Sequence, residues 1–252
     1  MARIIILGSA AAVNDATHDF THFVLVGERD TPVLVDVGSN PMGKLQTFGI
    51  EDEALQDVVL THFHADHVSG LPNMLMHMWL LGRRAPLRIY GIHHCINRVE
   101  DMMYSFAWNE WPGFFPVNFN RVRERFGAPV LENEDFIVTA WPVKHFIPTV
   151  GLRIENKVTG KVLAYTCDTQ PTESLLELGR DADILIHEAA GESAGHSSAR
   201  QAGQTATEVG AKSLYLIHYW VWNTDPTPLV AEAQETFDGP VHLCKDFDVY
   251  EF

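Results

Sequence analysis

The stretch Thr61–Gly70, THFHADHVSG, places His62, His64, Asp66 and His67 within six residues, directly after the apolar run LQDVVL. Such a run reads as a buried strand, so the polar cluster falls where the strand has to end. His62 and His64 are two apart and project to the same side of an extended chain, while Asp66 and His67 lie where the chain turns toward a helical pattern. Four ligand-type side chains can therefore converge on one small volume. A lone histidine is usually an ordinary loop residue, but three with an aspartate at this spacing point to a metal centre. Neutral imidazole suits zinc, and the carboxylate also admits manganese or iron, so zinc is the first expectation.

The rest of the chain supplies a frame for that centre. RIIIL, HFVLVG, PVLVDVG and DVVL read as four strands within the first sixty residues, each closed by turn residues or by the cluster itself. After the cluster, Leu71, Met74, Leu75, Met78, Trp79 and Leu81 share one helical face that Gly82 can stop. APLRIYG, DFIVTAWPV, TVGLRIEN and KVLAYTCD form a second wave of strands. DADILIHEA, helical SARQAGQTATEVGAK, SLYLIHY, helical PLVAEAQETF and strands near PVHLC and FDVYEF complete the chain. Strand waves separated by helices predict an α/β (α+β) arrangement of two mixed sheets facing each other with helices outside. No repeat or flexible linker divides residues 1–252, so one domain is expected, with an aromatic-rich insertion near 93–130.

Composition narrows the partners. Lys and Arg number 18 against 33 Asp and Glu, and a net charge of −15 repels a phosphate backbone, which disfavours nucleic acid. Cys95, Cys167 and Cys244 are far apart and form no Cys-x-x-Cys pair, so neither a disulfide framework nor a thiolate zinc site is indicated and a cytoplasmic setting is expected. The start MARIIILGSAAAV reads as a first strand, and no uncharged run long enough to cross a bilayer occurs, so neither a signal peptide nor a membrane partner is expected.

His-x-His-x-Asp-His after a strand resembles the signature of the metallo-β-lactamase superfamily. The resemblance implies a four-layer αββα sandwich and further ligands in a fixed order, and the sequence offers His145 in WPVKHFIPTVGLRI, Asp168 in VLAYTCDT and His218 in SLYLIHYW. It implies two divalent metal ions, one held by His62, His64 and His145 and one by Asp66, His67 and His218, with Asp168 bridging. Two such ions about 3.5–4 Å apart share a water, lower its pKa and stabilise charge on the attacking and leaving oxygens. Asp36 in LVDVG can orient a ligand histidine from behind or merely cap a turn. Because His64 stands where the flavin-linked di-iron branch carries Glu, hydrolysis is expected rather than redox chemistry.

Within the superfamily the chain most resembles the ribonuclease Z branch, through LGSAAAV, through DILIHEA…GHSSARQAGQTATEVGAKSLYLIHY and through the C-terminal DPTPLVAEAQETFDGPVHLCKDFDVYEF. That match implies that His196 gives a proton to the leaving oxygen while Glu188 orients it, with Asp66 and Asp168 completing the catalytic set and His187 simply packed. Bacterial members carry a long arm between the lone histidine and the bridging aspartate that clamps transfer RNA; here only 23 positions separate His145 from Asp168, filled by two strands and a turn at ENKVTGK. Tyr104, Phe106, Trp108, Trp111, Phe114, Phe115 and Phe119 crowd one segment, open between core or dimer contact and substrate lid. Trp220 and Trp222 are expected to line the metal pocket, whereas His18, His22, His93 and His94 are left outside it. The expected activity is two-metal hydrolysis of a phosphodiester or related small anionic ester. Alternatives are a ribonuclease Z-like RNA endonuclease, a lactonase, thioesterase or sulfatase, and a non-catalytic metal-binding module.

Overall fold

Strands that are apolar at successive positions need cover on both faces. In the computed structural model, which describes residues 1–29 and 32–252, two seven-stranded sheets and their helices provide it. The first sheet contains β1 (Arg3–Gly8), β2 (His22–Val26), β3 (Val33–Val35), β4 (Asp57–Leu60), β5 (Leu87–Ile92) and β6 (Val117–Val122) in spatial sequence. The second contains β7 (Ala128–Glu132), β8 (Phe136–Val143), β9 (Thr149–Asn156), β10 (Val162–Tyr165), β11 (Ile184–Glu188), β12 (Leu214–Ile217) and β13 (Val241–Leu243). The C-terminal β14 (Val249–Glu251) returns to pair antiparallel with β1 and closes that edge of the first sheet. Each sheet is mixed: β3 to β6 run parallel, as do β10 to β13, and the remaining neighbours are antiparallel.

One interior cluster draws on both sheets, from Ile4 and Phe23 to Tyr165, Ile186 and Ile217, and the Phe23 and Tyr165 rings meet edge to face at 5.0 Å. The helices α1 (Met42–Thr47), α2 (Ala65–Val68), α3 (Leu71–Leu80), α4 (His93–Ser105), α5 (Ser174–Leu178), α6 (Ala199–Glu208) and α7 (Pro228–Gln234) connect and cover the sheets. A second cluster lies under α6 and α7, where Ala199, Ala202 and Ala206 present small side chains to β11 and β12. A capping box starts α6: Ser198 accepts from the Gln201 N–H, and the Gln201 side chain returns a bond to the Ser198 backbone.

Residues 93–130 hold regular structure. His93 and His94 open α4, whose buried Cys95, Ile96, Val99 and Met103 follow helical spacing. The stretch expected as an insertion also supplies β6 and β7, an edge strand of each sheet. Its aromatic residues pack inward: Trp111 stacks on Trp79 at 5.0 Å, Trp108 meets Phe114 and Phe119, and Phe115 is buried. Tyr104 and Phe106 stay exposed. The short helices α1 and α5 lacked a sequence signal, since neither has a side-chain N-cap.

Candidate metal centre

The site lies where parallel strands end side by side. Val35 of β3 pairs with Val59 of β4, and Glu188 of β11 pairs with Ile217 of β12, so the residues that follow emerge together from both sheets. Three of the turns are made by non-glycine residues with positive φ: Asp36 (61°) after β3, Cys167 (55°) after β10 and His218 (54°) after β12. That conformation costs roughly 1 kcal/mol or more per residue and persists only where the surroundings hold it. Gly38 serves the same turn by being small, since a Cβ there would meet the Asp66 carbonyl oxygen at 2.0 Å. Glycine therefore lets the β3 loop close onto α2.

All seven residues named as ligands come together. The side chains of His62, His64, His145 and Asp168 form one group, those of Asp66, His67, Asp168 and His218 a second, and the candidate ligand atoms of each lie within 4.8 Å of one another. Asp168 belongs to both, with Oδ2 at 3.2 Å from His218 Nε2, 3.8 Å from His145 Nε2 and 3.9 Å from His62 Nε2. His64 presents Nδ1, 3.1 Å from His62 Nε2 and 3.0 Å from His145 Nε2.

Hydrogen bonds on the far side fix which nitrogen faces inward. His145 Nδ1–H donates to the Gly195 carbonyl (2.8 Å) and His67 Nδ1–H to Asp36 Oδ2 (2.8 Å); both acceptors lack a proton, so each ring presents its Nε2 to the cluster. Asp36 also accepts from the Thr61 N–H (2.8 Å) and from Thr61 Oγ1 (2.8 Å), which in turn lies 3.1 Å from His62 Nδ1. One buried carboxylate thus steadies two histidines, and capping a turn is not its whole role. His218 Nδ1 meets Thr21 Oγ1 at 3.1 Å. Neither Thr21 nor the Gly195 carbonyl was found from the sequence, because a partner hydroxyl 197 positions away leaves no local signal.

The donor set fits divalent cations. Among the described residues His67 Nε2 and Asp168 Oδ1, buried and 3.5 Å apart, have no partner at hydrogen-bonding geometry, and three inward ring nitrogens crowd within about a hydrogen-bond length of each other. Burial holds His62 well below the usual imidazole pKa and lowers His145 to about 4, which keeps both neutral as a metal ligand must be. For His67, burial disfavours the cation, but Asp168, Asp36 and Asp66 outweigh it and raise the pKa. Those carboxylates call for positive charge at this spot. Asp168 stays well below the carboxylate range because His218 and His67 overcome its burial. Cys167 lies 3.6 Å from His62 Nδ1 and forms a third donor group with His62 and His67, its thiol pKa raised by burial.

Glu188 and His196 form the expected pair, His196 Nδ1 donating to Glu188 Oε1 at 3.0 Å, while the Thr169 and Ala190 N–H groups hold the carboxylate. His187 is buried and donates from Nδ1 to the Glu188 carbonyl. His18, His22, His93 and His94 join neither ligand group. A cavity of about 380 Å³ opens over the cluster, with His64, Asp168, His196 and His218 on its floor and Phe146 and Trp220 among its walls. Neither Trp222 nor any residue of the 104–119 aromatic segment is among its lining residues, and Phe146 was the aromatic wall the sequence reading overlooked.

Two facing mixed sheets with a buried His/Asp cluster at their strand ends define a hydrolase of the metallo-β-lactamase fold. The sequence profile of the beta-lactamase superfamily domain matches residues 31–219. Ribonuclease Z of Bacillus licheniformis is 27% identical over 309 aligned positions, covering 99% of this chain and 98% of that one. The metallo-β-lactamase-fold protein YhfI from Bacillus subtilis superposes with a TM-score of 0.81 at 24% identity over the whole of both chains. A diphosphatase of the PhnP family does so with a TM-score of 0.71 at 21% identity, covering 100% of this chain and 97% of its own. The chain belongs to the beta-lactamase superfamily.

Asp36→Asn keeps a residue type that tolerates positive φ but removes the charge behind two histidines. It should weaken divalent-metal affinity by about 10–100-fold in a chelator competition. Wild-type affinity would show that Asp36 only closes the strand end.

Proposed function

We propose that the protein is a two-metal hydrolase of small phosphodiesters or related anionic esters. The observation that carries this reading is the pair of buried ligand groups sharing Asp168. His62, His64 and His145 would hold one divalent ion, and Asp66, His67 and His218 the other, zinc being the first candidate. Bound there, the ions would supply a water of lowered pKa and neutralise the ester's charge. The chain's own groups do the rest. His196, fixed through Nδ1 by Glu188, turns its other nitrogen to the cavity and gives a proton to the leaving oxygen. Phe146 and Trp220 wall the space in which the ester sits. The metals, rather than the acidic surface, attract the anion.

RNA cleavage is the second reading, favoured by the ribonuclease Z relatives. Against it stand the net charge of −15 and the stretch between His145 and Asp168, which holds β9, β10 and their turn and no clamp. Long-range attraction to a polyanion is missing from both. Manganese- or zinc-loaded protein should hydrolyse bis(4-nitrophenyl) phosphate and leave a transfer-RNA precursor uncut at physiological salt, with Asp168→Ala inactive as control. Position-specific cleavage of the precursor at submicromolar enzyme would promote the nuclease.

His196→Ala should keep its metals and lose about 10²–10⁴-fold in turnover. The loss should shrink as the leaving group becomes more acidic and needs no proton. An equal loss across a leaving-group series would make His196 a structural residue.

A further inference from the structure

The proton donor sits on a loop with little packing to hold it. Glu192, Ser193 and Ala194 at its tip are exposed, and His196 lines the first cavity. A second cavity, of about 610 Å³, borders His145 and Phe146, with Phe126 and Lys144 also in its lining. Among the described residues, three hydrogen bonds tie Gly191–His196 to residues outside 189–198. The Gly195 N–H donates to Gln170 Oε1 (3.2 Å), the Gly195 carbonyl accepts from His145 Nδ1 (2.8 Å), and His196 Nδ1 donates to Glu188 (3.0 Å). Two of the three fall on one glycine. Gly195 has φ +77°, and a Cβ there would stand 3.0 Å from His145 Nδ1, so no other residue fits the place without strain. It serves a ligand histidine through its carbonyl and precedes the acid in the chain.

Gln170 is itself firmly placed. Its N–H donates to the Lys144 carbonyl at 3.0 Å, which pairs the turn after Asp168 antiparallel with the chain just before His145. Thr169 adds three bonds: its N–H to Glu188 Oε1 (2.8 Å), its Oγ1 from the Lys144 N–H (3.1 Å) and its carbonyl from Ser197 Oγ (2.7 Å). The two residues after the shared carboxylate are thus fastened to both histidine segments, and the Gln170 side chain is the part that reaches the loop tip.

We infer that Gln170 is a positioning residue: by holding the Gly195 N–H it sets, through one glycine, both the acceptor behind His145 and the reach of His196 toward the leaving oxygen. The inference rests on the two-metal hydrolase reading above. Without that acceptor the buried Gly195 N–H is left unpaired, and a glycine is free to turn. Metal ligation and proton delivery should then weaken together.

Gln170→Met keeps the reach of the side chain and removes the acceptor, whereas Gln170→Glu keeps an acceptor at the same reach. Methyl 4-nitrophenyl phosphate has a leaving group that needs no proton, and methyl phenyl phosphate one that does. With manganese loaded, Gln170→Met should lose about tenfold in kcat on the phenyl ester and much less on the 4-nitrophenyl ester. It should also bind metal about tenfold more weakly in a chelator competition, and Gln170→Glu should recover both properties. In the metal-free protein, amide hydrogen exchange at Gly195 should quicken about tenfold in Gln170→Met and stay near wild type in Gln170→Glu. Equal losses on the two esters, wild-type metal affinity or Gly195 exchange in Gln170→Met, or a Glu variant no better than the Met variant would overturn the positioning role. If the wild type hydrolyses neither ester, phosphodiester hydrolysis falls instead. Metal affinity and Gly195 exchange then decide the role of Gln170 by themselves, dependence on its acceptor upholding it and indifference overturning it.

Discussion

Asp168 is the residue on which the site turns. It is buried between His62, His67, His145 and His218, and it is the member common to both ligand groups. A carboxylate taken out of water needs compensating positive charge, and nearby Asp66 and Asp36 deepen the need. Strand ends with positive φ, the close approach at Gly38 and the hydrogen bonds behind each imidazole all hold this cluster together. Their cost is understandable if cations neutralise the carboxylates. The same arrangement without cations would leave buried polar atoms such as His67 Nε2 unmatched.

Much of this was legible in the sequence, for identifiable reasons. His62, His64, Asp66 and His67 are neighbours along the chain, and strand geometry alone brings the first two to one side. His145, Asp168 and His218 came from the order of motifs, and the structure brings each of them to the cluster. The central strands announced themselves as apolar runs, because burial on two faces leaves no alternation to misread, whereas the part-exposed edge strands β6 and β7 did not. The failures have the opposite cause. Aromatic crowding at 104–119 left core, dimer contact and lid open in one dimension, because only the fold shows Trp111 against Trp79 and Trp108 against Phe114 and Phe119. Phe146, a single aromatic after a ligand histidine, carried no pattern and proved to be a wall of two cavities. Thr21 could not be found without the fold, since its contact with His218 spans most of the chain.

Fold and metal ligands fix the class of chemistry more tightly than the substrate. A ribonuclease Z and a diphosphatase of the PhnP family both occur among the relatives and structural neighbours. The side chains placed to discriminate are the walls, Phe146 and Trp220 at the centre with Lys144 and Phe126 beyond it.

The central claim is that the two ligand groups are a binuclear metal site, and metal stoichiometry tests it most directly. Elemental analysis of purified protein should find close to two transition-metal ions per chain, and the His62→Ala/His64→Ala double variant should lose at least one of them while staying folded. A wild-type protein that carries no metal and takes up neither zinc nor manganese when they are supplied would contradict the account.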